Sequence, residues 1–126
     1  MRACRLPASS EPVFMEEIET TFRALADRAN GLGDGWRSDQ MARIQAIGIK
    51  LFRIDPKGLP LETHPSYAEG LLMVAGQMTL LLDDEPIMLS AGDFQLIPAG
   101  RAHAILPGGH GAFVLIDPEP PASPAQ

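Results

Sequence analysis

From residue 12 to about residue 30, Phe14, Ile18, Phe22 and Leu25 recur at three- and four-residue spacings, with Met15 and Ala26 beside them. This stripe predicts an amphipathic helix. Ser10 stands where an N-cap belongs, Pro12 falls in the first turn where a missing N–H costs nothing, and Glu16 and Glu17 sit where the dipole favours acids. Asn30 and Gly31 end the pattern. Residues 31–39, with glycines around Trp36, read as a connector that the lone tryptophan anchors to the body. Beyond residue 40 the period falls to two: Ile47, Ile49 and Leu51 alternate with Gly48, Lys50 and Phe52 before a turn at Asp55, Pro56, Lys57 and Gly58. Further short strands are predicted over 70–75, 77–82, 87–89, 93–97, 103–106 and 112–116, with a tight turn at 83–86. The run Leu71, Leu72, Met73, Val74 is apolar on both faces, so the outside of its sheet must be covered, by the helix or by a second subunit.

Seven or so short strands joined by short turns predict an all-β chain closed into a barrel or sandwich. The chain divides into an arm, helix and connector (1–39), a barrel (40–117) and a proline-rich tail (118–126), with no internal repeat. The arm over residues 1–10 needs a partner to be ordered.

Composition narrows the function classes. A chain of 126 residues, 45% hydrophobic and 21% charged, buries one core. Twelve glycines and twelve prolines suit short strands. Ten basic against sixteen acidic residues leave a net charge of −6, the opposite of a nucleic-acid-binding footprint. Cys4 is the single cysteine, so neither an intrachain disulfide nor a cysteine-based zinc site can form within one chain, which fits a reducing cytoplasm. The first residues lack the run of about 7–15 apolar residues of a secretory signal, and no stretch reaches the roughly 18 of a membrane span. The expectation is a soluble cytoplasmic protein with no nucleic-acid or membrane partner.

The chemistry concentrates in two segments. Gly92, Asp93, then Pro98, Gly100 and His103 form a turn, a strand, a Pro-x-Gly corner and a histidine on the returning strand. Upstream, Glu62 and His64 are two apart, so on a strand both point to one face, and Glu69 joins them once the turn over 65–68 reverses the chain. Gly76 closes the segment after an apolar strand.

These segments resemble the paired signatures of the cupin superfamily, G-x5-H-x-H-x3,4-E-x6-G and G-x5-P-x-G-x2-H-x3-N. Residues 92–103 match the second as far as its histidine. In the first, His64 matches the second histidine, Glu69 the glutamate and Gly76 the closing glycine, while Glu62 occupies the place of the first histidine. The leading glycine is displaced to Gly58, and Pro107 stands at the final Asn position. The resemblance covers about 45–117. It implies a double-stranded β-helix (jelly-roll) barrel with the N-terminal helix outside it, and a divalent metal held by His64, Glu69 and His103 with Glu62 as a fourth ligand. Two imidazoles with carboxylates suit Mn, Fe(II), Ni or Zn. The alternative is a metal-free polar pocket in which Glu62 faces solvent and His64 bonds a carboxylate.

Glu62 is a candidate base and Tyr67 a candidate proton donor at the barrel mouth. Arg101, sharing strand parity with His103, is a candidate for holding a ligand's carboxylate or phosphate or, equally, for pairing with an acidic neighbour, and Leu71, Met73 and Ile105 are expected on the pocket wall. His110, between glycines, reads as an exposed residue. The function implied is a metal-dependent isomerase, lyase or dioxygenase acting on a small, partly apolar oxygenated molecule. The second reading is a non-catalytic small-molecule sensor or carrier. The doubly apolar strand, the helix stripe and the arm together predict a homodimer.

Overall fold

The computed structural model describes residues 18–119. A short helix, α1 (Leu25–Asn30), precedes eight strands: β1 (Arg37–Ile44), β2 (Ile47–Arg53), β3 (Leu59–Glu62), β4 (Glu69–Leu82), β5 (Glu85–Ser90), β6 (Phe94–Ile97), β7 (His103–Ile105) and β8 (His110–Pro118). Every pairing among them is antiparallel. β4 belongs to two layers. Its first half lies between β6 (Glu69↔Ile97) and β8 (Gly70↔Ile116), and β8 continues to β2 and β1. Its second half lies between β5 (Leu80↔Ile87) and β7 (Leu80↔Ile105), and β7 continues to β3.

The passage between layers is made where the register slips between Met73 and Ala75 and Gly76 takes a φ of 76°. A Cβ on Gly76 would overlap the His110 carbonyl oxygen, and one on its partner Gly111 would overlap that of Ala75. Two backbones therefore touch at a point where only glycine fits. That is the physical content of the closing glycine in the first sequence signature.

Alternation along the strands makes two cores. Ile49 and Leu51 of β2, Leu72 and Val74 of β4, and Val114 and Ile116 of β8 pack with Leu25 and Ala29 of α1 on the outer side. The doubly apolar stretch of β4 is thus covered by the helix. The opposite parity, Phe52, Leu71, Met73, Leu80, Ile105 and Phe113, fills the space between the layers. Leu51, Met73 and Leu80 are completely or almost completely buried, each contributing about 2 kcal/mol by area removed from water.

Three expectations are corrected. Residues 18–24 are not helical, and Ala24 at φ 48° blocks a helix from entering Leu25. The spacing of Ile18 and Phe22 is genuine but meets no surface: Ile18 is 82% exposed, and Phe22 carries the guanidinium of Arg28 at 5.1 Å. Arg28 in turn bridges Glu19 (2.8 Å) and Asp39 (2.6 Å), which ties this segment to β1. Ser10, Pro12, Phe14, Met15, Glu16 and Glu17 lie outside the described residues. Second, β1 begins at Arg37, inside the stretch read as connector, and β3 was not foreseen. Third, the last strand runs one residue past the barrel boundary read at 117: Asp117 and Pro118 are extended and finish β8 opposite Gly48 and Ile47. No helix among the described residues is long and apolar enough to cross a membrane.

Candidate metal centre

β3 ends on Glu62 and β7 begins on His103, and these two are register partners. The loop after β3 carries His64 and Tyr67 back to Glu69, the first residue of β4. The Pro-x-Gly corner before β7 is fastened to this loop, because the Gly100 N–H, at φ 82°, donates to the His64 carbonyl at 2.9 Å. Two segments far apart in the chain are thereby brought to one place.

There, the His64 and His103 rings lie 5.1 Å apart, tilted by 49°. Each Nε2 is 3.6 Å from Oε1 of Glu69 and 3.8 Å from a Glu62 oxygen. Those separations exceed a charge-assisted hydrogen bond of about 2.7–2.9 Å. They match the spacing, roughly 3–4 Å, of ligands that share one cation about 2.1 Å from each. Glu62, His64 and His103 form a cluster capable of holding a metal ion, with ligand atoms within 4.8 Å of one another. Glu69, equidistant from both imidazoles, adds a second carboxylate beside this cluster.

The far sides of the rings support this use. His103 Nδ1 is 3.0 Å from the Arg101 carbonyl, which can only accept, so Nδ1 carries the hydrogen and the lone pair of the neutral ring is on Nε2. His64 Nδ1 is 2.9 Å from the Tyr67 hydroxyl, and the rings stack at 4.7 Å. When Nε2 of His64 holds a cation, Nδ1 donates to the phenol oxygen.

Electrostatically the centre gathers acidic groups. Burial pushes the Glu69 carboxyl up from the ordinary range, the two histidines oppose this in part, and Asp117 and Glu62 add to it. Burial, then Glu69, Asp117 and Glu62, push the Tyr67 phenol up too, with Lys50 opposing, so it stays protonated at neutral pH. A divalent cation held here would offset the charge of these acids.

Below the donors a cavity of about 130 Å³ runs between the layers. Glu62, Glu69 and His103 line one end, Leu71, Leu80 and Ile105 the walls, and Trp36, Phe52 and Phe113 the other end. Leu71 and Ile105 thus stand where the sequence placed them. Met73 does not: it is 1% exposed inside the packed core and off the cavity wall. Arg101 also lies elsewhere. Its guanidinium pairs with Asp83 in the β4–β5 turn, because residues 101 and 102 precede β7 and strand parity does not reach them. His110 is exposed, as expected, but starts β8 rather than a loop.

Two features escaped the sequence. Trp36, expected to anchor the connector, does so through its Nε1–H, which donates to the Gly58 carbonyl at 3.1 Å, and it also lines the cavity. Lys50 shares the parity of Phe52 and reaches Asp117 (3.3 Å) and Glu119 (3.2 Å). Burial alone would lower its pKa, but the two carboxylates outweigh that and the net shift is upward.

The comparisons agree with this architecture. The family model for the cupin domain matches residues 50–117. Over 45 residues the chain is 42% identical to the quercetin 2,3-dioxygenase of Bacillus subtilis strain 168, a stretch amounting to 36% of this chain and only 13% of that enzyme. A cupin-2 domain protein from Shewanella frigidimarina superposes with a TM-score of 0.67 at 20% identity, covering 74% of this chain and 90% of its own. The polyketide cyclase RemF from Streptomyces resistomycificus gives 0.60 at 20% identity, covering 68% of each. At such identities the superpositions speak for the fold alone. A match across more than half of the chain, carried by a barrel that turns both histidine-bearing segments toward each other, makes this protein a member of the cupin domain family.

Proposed function

We propose that this cupin holds a divalent ion through His64, His103, Glu69 and Glu62 and acts on a small, partly apolar oxygenated molecule in the cavity beneath it, as an isomerase, lyase or dioxygenase. The observation that carries this reading is the convergence of two imidazole Nε2 atoms and two carboxylates at 3.6–3.8 Å, too far to satisfy one another. A bound ion supplies Lewis acidity toward a carbonyl or enol oxygen. The protein's own groups do the rest. Glu62, about half exposed, is either the fourth ligand or, left free of the ion, the carboxylate that takes up or returns a proton. Tyr67 orients the His64 ring, and the Arg101 carbonyl fixes the tautomer of His103. The aliphatic walls exclude water from the ligand's apolar part.

Elemental analysis of purified protein, with His64→Ala and His103→Ala as controls, tests the reading. One equivalent of metal in the wild type and a loss in both variants supports it. No metal after purification or reconstitution sinks it and favours a metal-free carrier or sensor, for which the apolar cavity speaks. We also infer a cytoplasmic homodimer. Phe94 and Leu96, 56% and 52% exposed on β6, support a covered surface there, and light scattering at micromolar concentration tests it.

A further inference from the structure

The cavity is two-ended, and its apolar end has a definite shape. Phe52 and Phe113 are register partners on β2 and β8, with rings stacked at 5.3 Å. Trp36 closes against both, edge-on to Phe52 at 6.4 Å and tilted to Phe113 at 6.2 Å. Its indole N–H is committed to the Gly58 carbonyl, so what remains toward the cavity is ring carbon. The polar side chains on the lining lie away from this trio: Phe113 is paired with Met73, four positions along β4 from Glu69, and Glu62 and His103 are partners beside Glu69. Trp36 lies outside the segment matched to the family, 50–117, so the barrel alone does not provide this closure.

A volume near 130 Å³ is of the scale at which an apolar protein cavity admits a benzene-sized molecule. Aromatic pairs at 4.5–7 Å in offset or edge-on geometry add to area burial by a factor of roughly 2 to 12 in affinity. A saturated ring of equal size gains the burial without this increment. We propose that the ligand is an aryl compound bearing oxygen donors, its ring against Trp36, Phe52 and Phe113 and its oxygens toward Glu62, Glu69 and His103, and that Trp36 sets the preference for the aromatic ring. This assignment builds on the metal reading above by naming the ligand class.

Trp36 is the single tryptophan, so its fluorescence reports the ring end directly. Zinc-loaded protein is titrated with benzoate and with cyclohexanecarboxylate, which share a carboxylate and differ in ring planarity. The expected result is a saturable change in Trp36 emission with benzoate, binding about five-fold tighter than the saturated acid. In Trp36→Leu, followed by calorimetry, benzoate falls to the affinity of cyclohexanecarboxylate while zinc stoichiometry is unchanged. If that variant shows no cooperative melt, Phe52→Leu takes its place, with the same expected loss. Equal affinity for the two acids, or benzoate binding indifferent to the substitution, overturns the proposal. A second arm uses chelator-treated protein with benzyl alcohol and cyclohexylmethanol. Preference for the aryl alcohol there, in a protein that takes up no zinc, upholds the ring site and rejects the metal reading. Absence of that preference rejects the ring site whatever the metal does.

Discussion

Oε1 of Glu69, a residue 8% exposed, lies 3.6 Å from Nε2 of His64 and the same distance from Nε2 of His103, beyond hydrogen-bond reach of either. A polar group placed this way costs stability unless something joins it. If the site holds a cation as proposed, the empty fold trades some stability for readiness to bind it.

Glu69→Gln should express that trade in two directions. Because burial raises the Glu69 pKa, the metal-free fold holds this proton more tightly than the unfolded chain does. Its contribution is present below the unfolded value of about 4.5 and is lost as pH rises through the folded one. In chelator, the variant should melt higher than wild type at pH 7, with the gap closing toward pH 4. With metal the order should invert, and wild-type metal affinity should rise with pH because the ion displaces the proton. Melting curves with and without metal across pH 4–8 check it; a variant less stable than wild type in chelator at pH 7 contradicts it.

Tyr67→Phe removes the hydroxyl 2.9 Å from His64 Nδ1 and leaves the stacked ring in place. Loss of such an orienting bond typically costs about 10–100-fold in metal affinity. Competition with a chelating dye should show a fall in that range, with an unchanged melting temperature in the metal-free protein to within a few degrees. An unaltered affinity would mean that the phenol does not hold the ring.

Lys50→Met strips the cation from Asp117, which is 8% exposed, and from Glu119. The cost should be about 1–3 kcal/mol in urea unfolding, below the value for a fully buried pair because Lys50 and Glu119 keep some contact with water. The net shift of Lys50 is upward, so its contribution is complete below pH 10.5 and disappears as pH rises through the folded value. The gap between wild type and variant should narrow in strongly alkaline buffer.

Gly76→Ala confronts both a left-handed backbone and the His110 carbonyl. A loss on the order of 3 kcal/mol is expected from strain and displacement together. Gly92→Ala is the comparison: it shares the positive φ but has open space around it, so it should cost less. Equal losses would show that backbone conformation alone, and not the contact with β8, matters at Gly76.

The legible parts of the sequence are those where spacing has a geometric meaning. The strand after a Pro-x-Gly corner brings His103 back beside Glu62, whereas Glu62 and His64 meet although β3 ends at Glu62 and the loop, not strand parity, carries His64. What was misread depends on what each face meets. The alternation in 47–52 separates Ile49 and Leu51 from Lys50 and Phe52 without saying which set looks inward. The apolar set lies under α1 and Lys50 faces its acids. β1, RSDQMARI, is largely wet on both sides and held by pairing with β2, so no hydrophobic pattern announces it. The helix failed conversely: periodicity at Ile18 and Phe22 predicts a buried stripe only if a surface takes it, and short helices without one are marginal. Arg101 was placed by extending strand parity two residues past the end of the strand.

The hydrogen bond from Gly100 to His64 has a kinetic meaning as well. Neither half of the polypeptide, cut between β4 and β5, carries both imidazoles, and each loop leans on the other for its conformation. Capture of a cation should therefore be a late, cooperative event during refolding, and complementary fragments should acquire it only on reassembly.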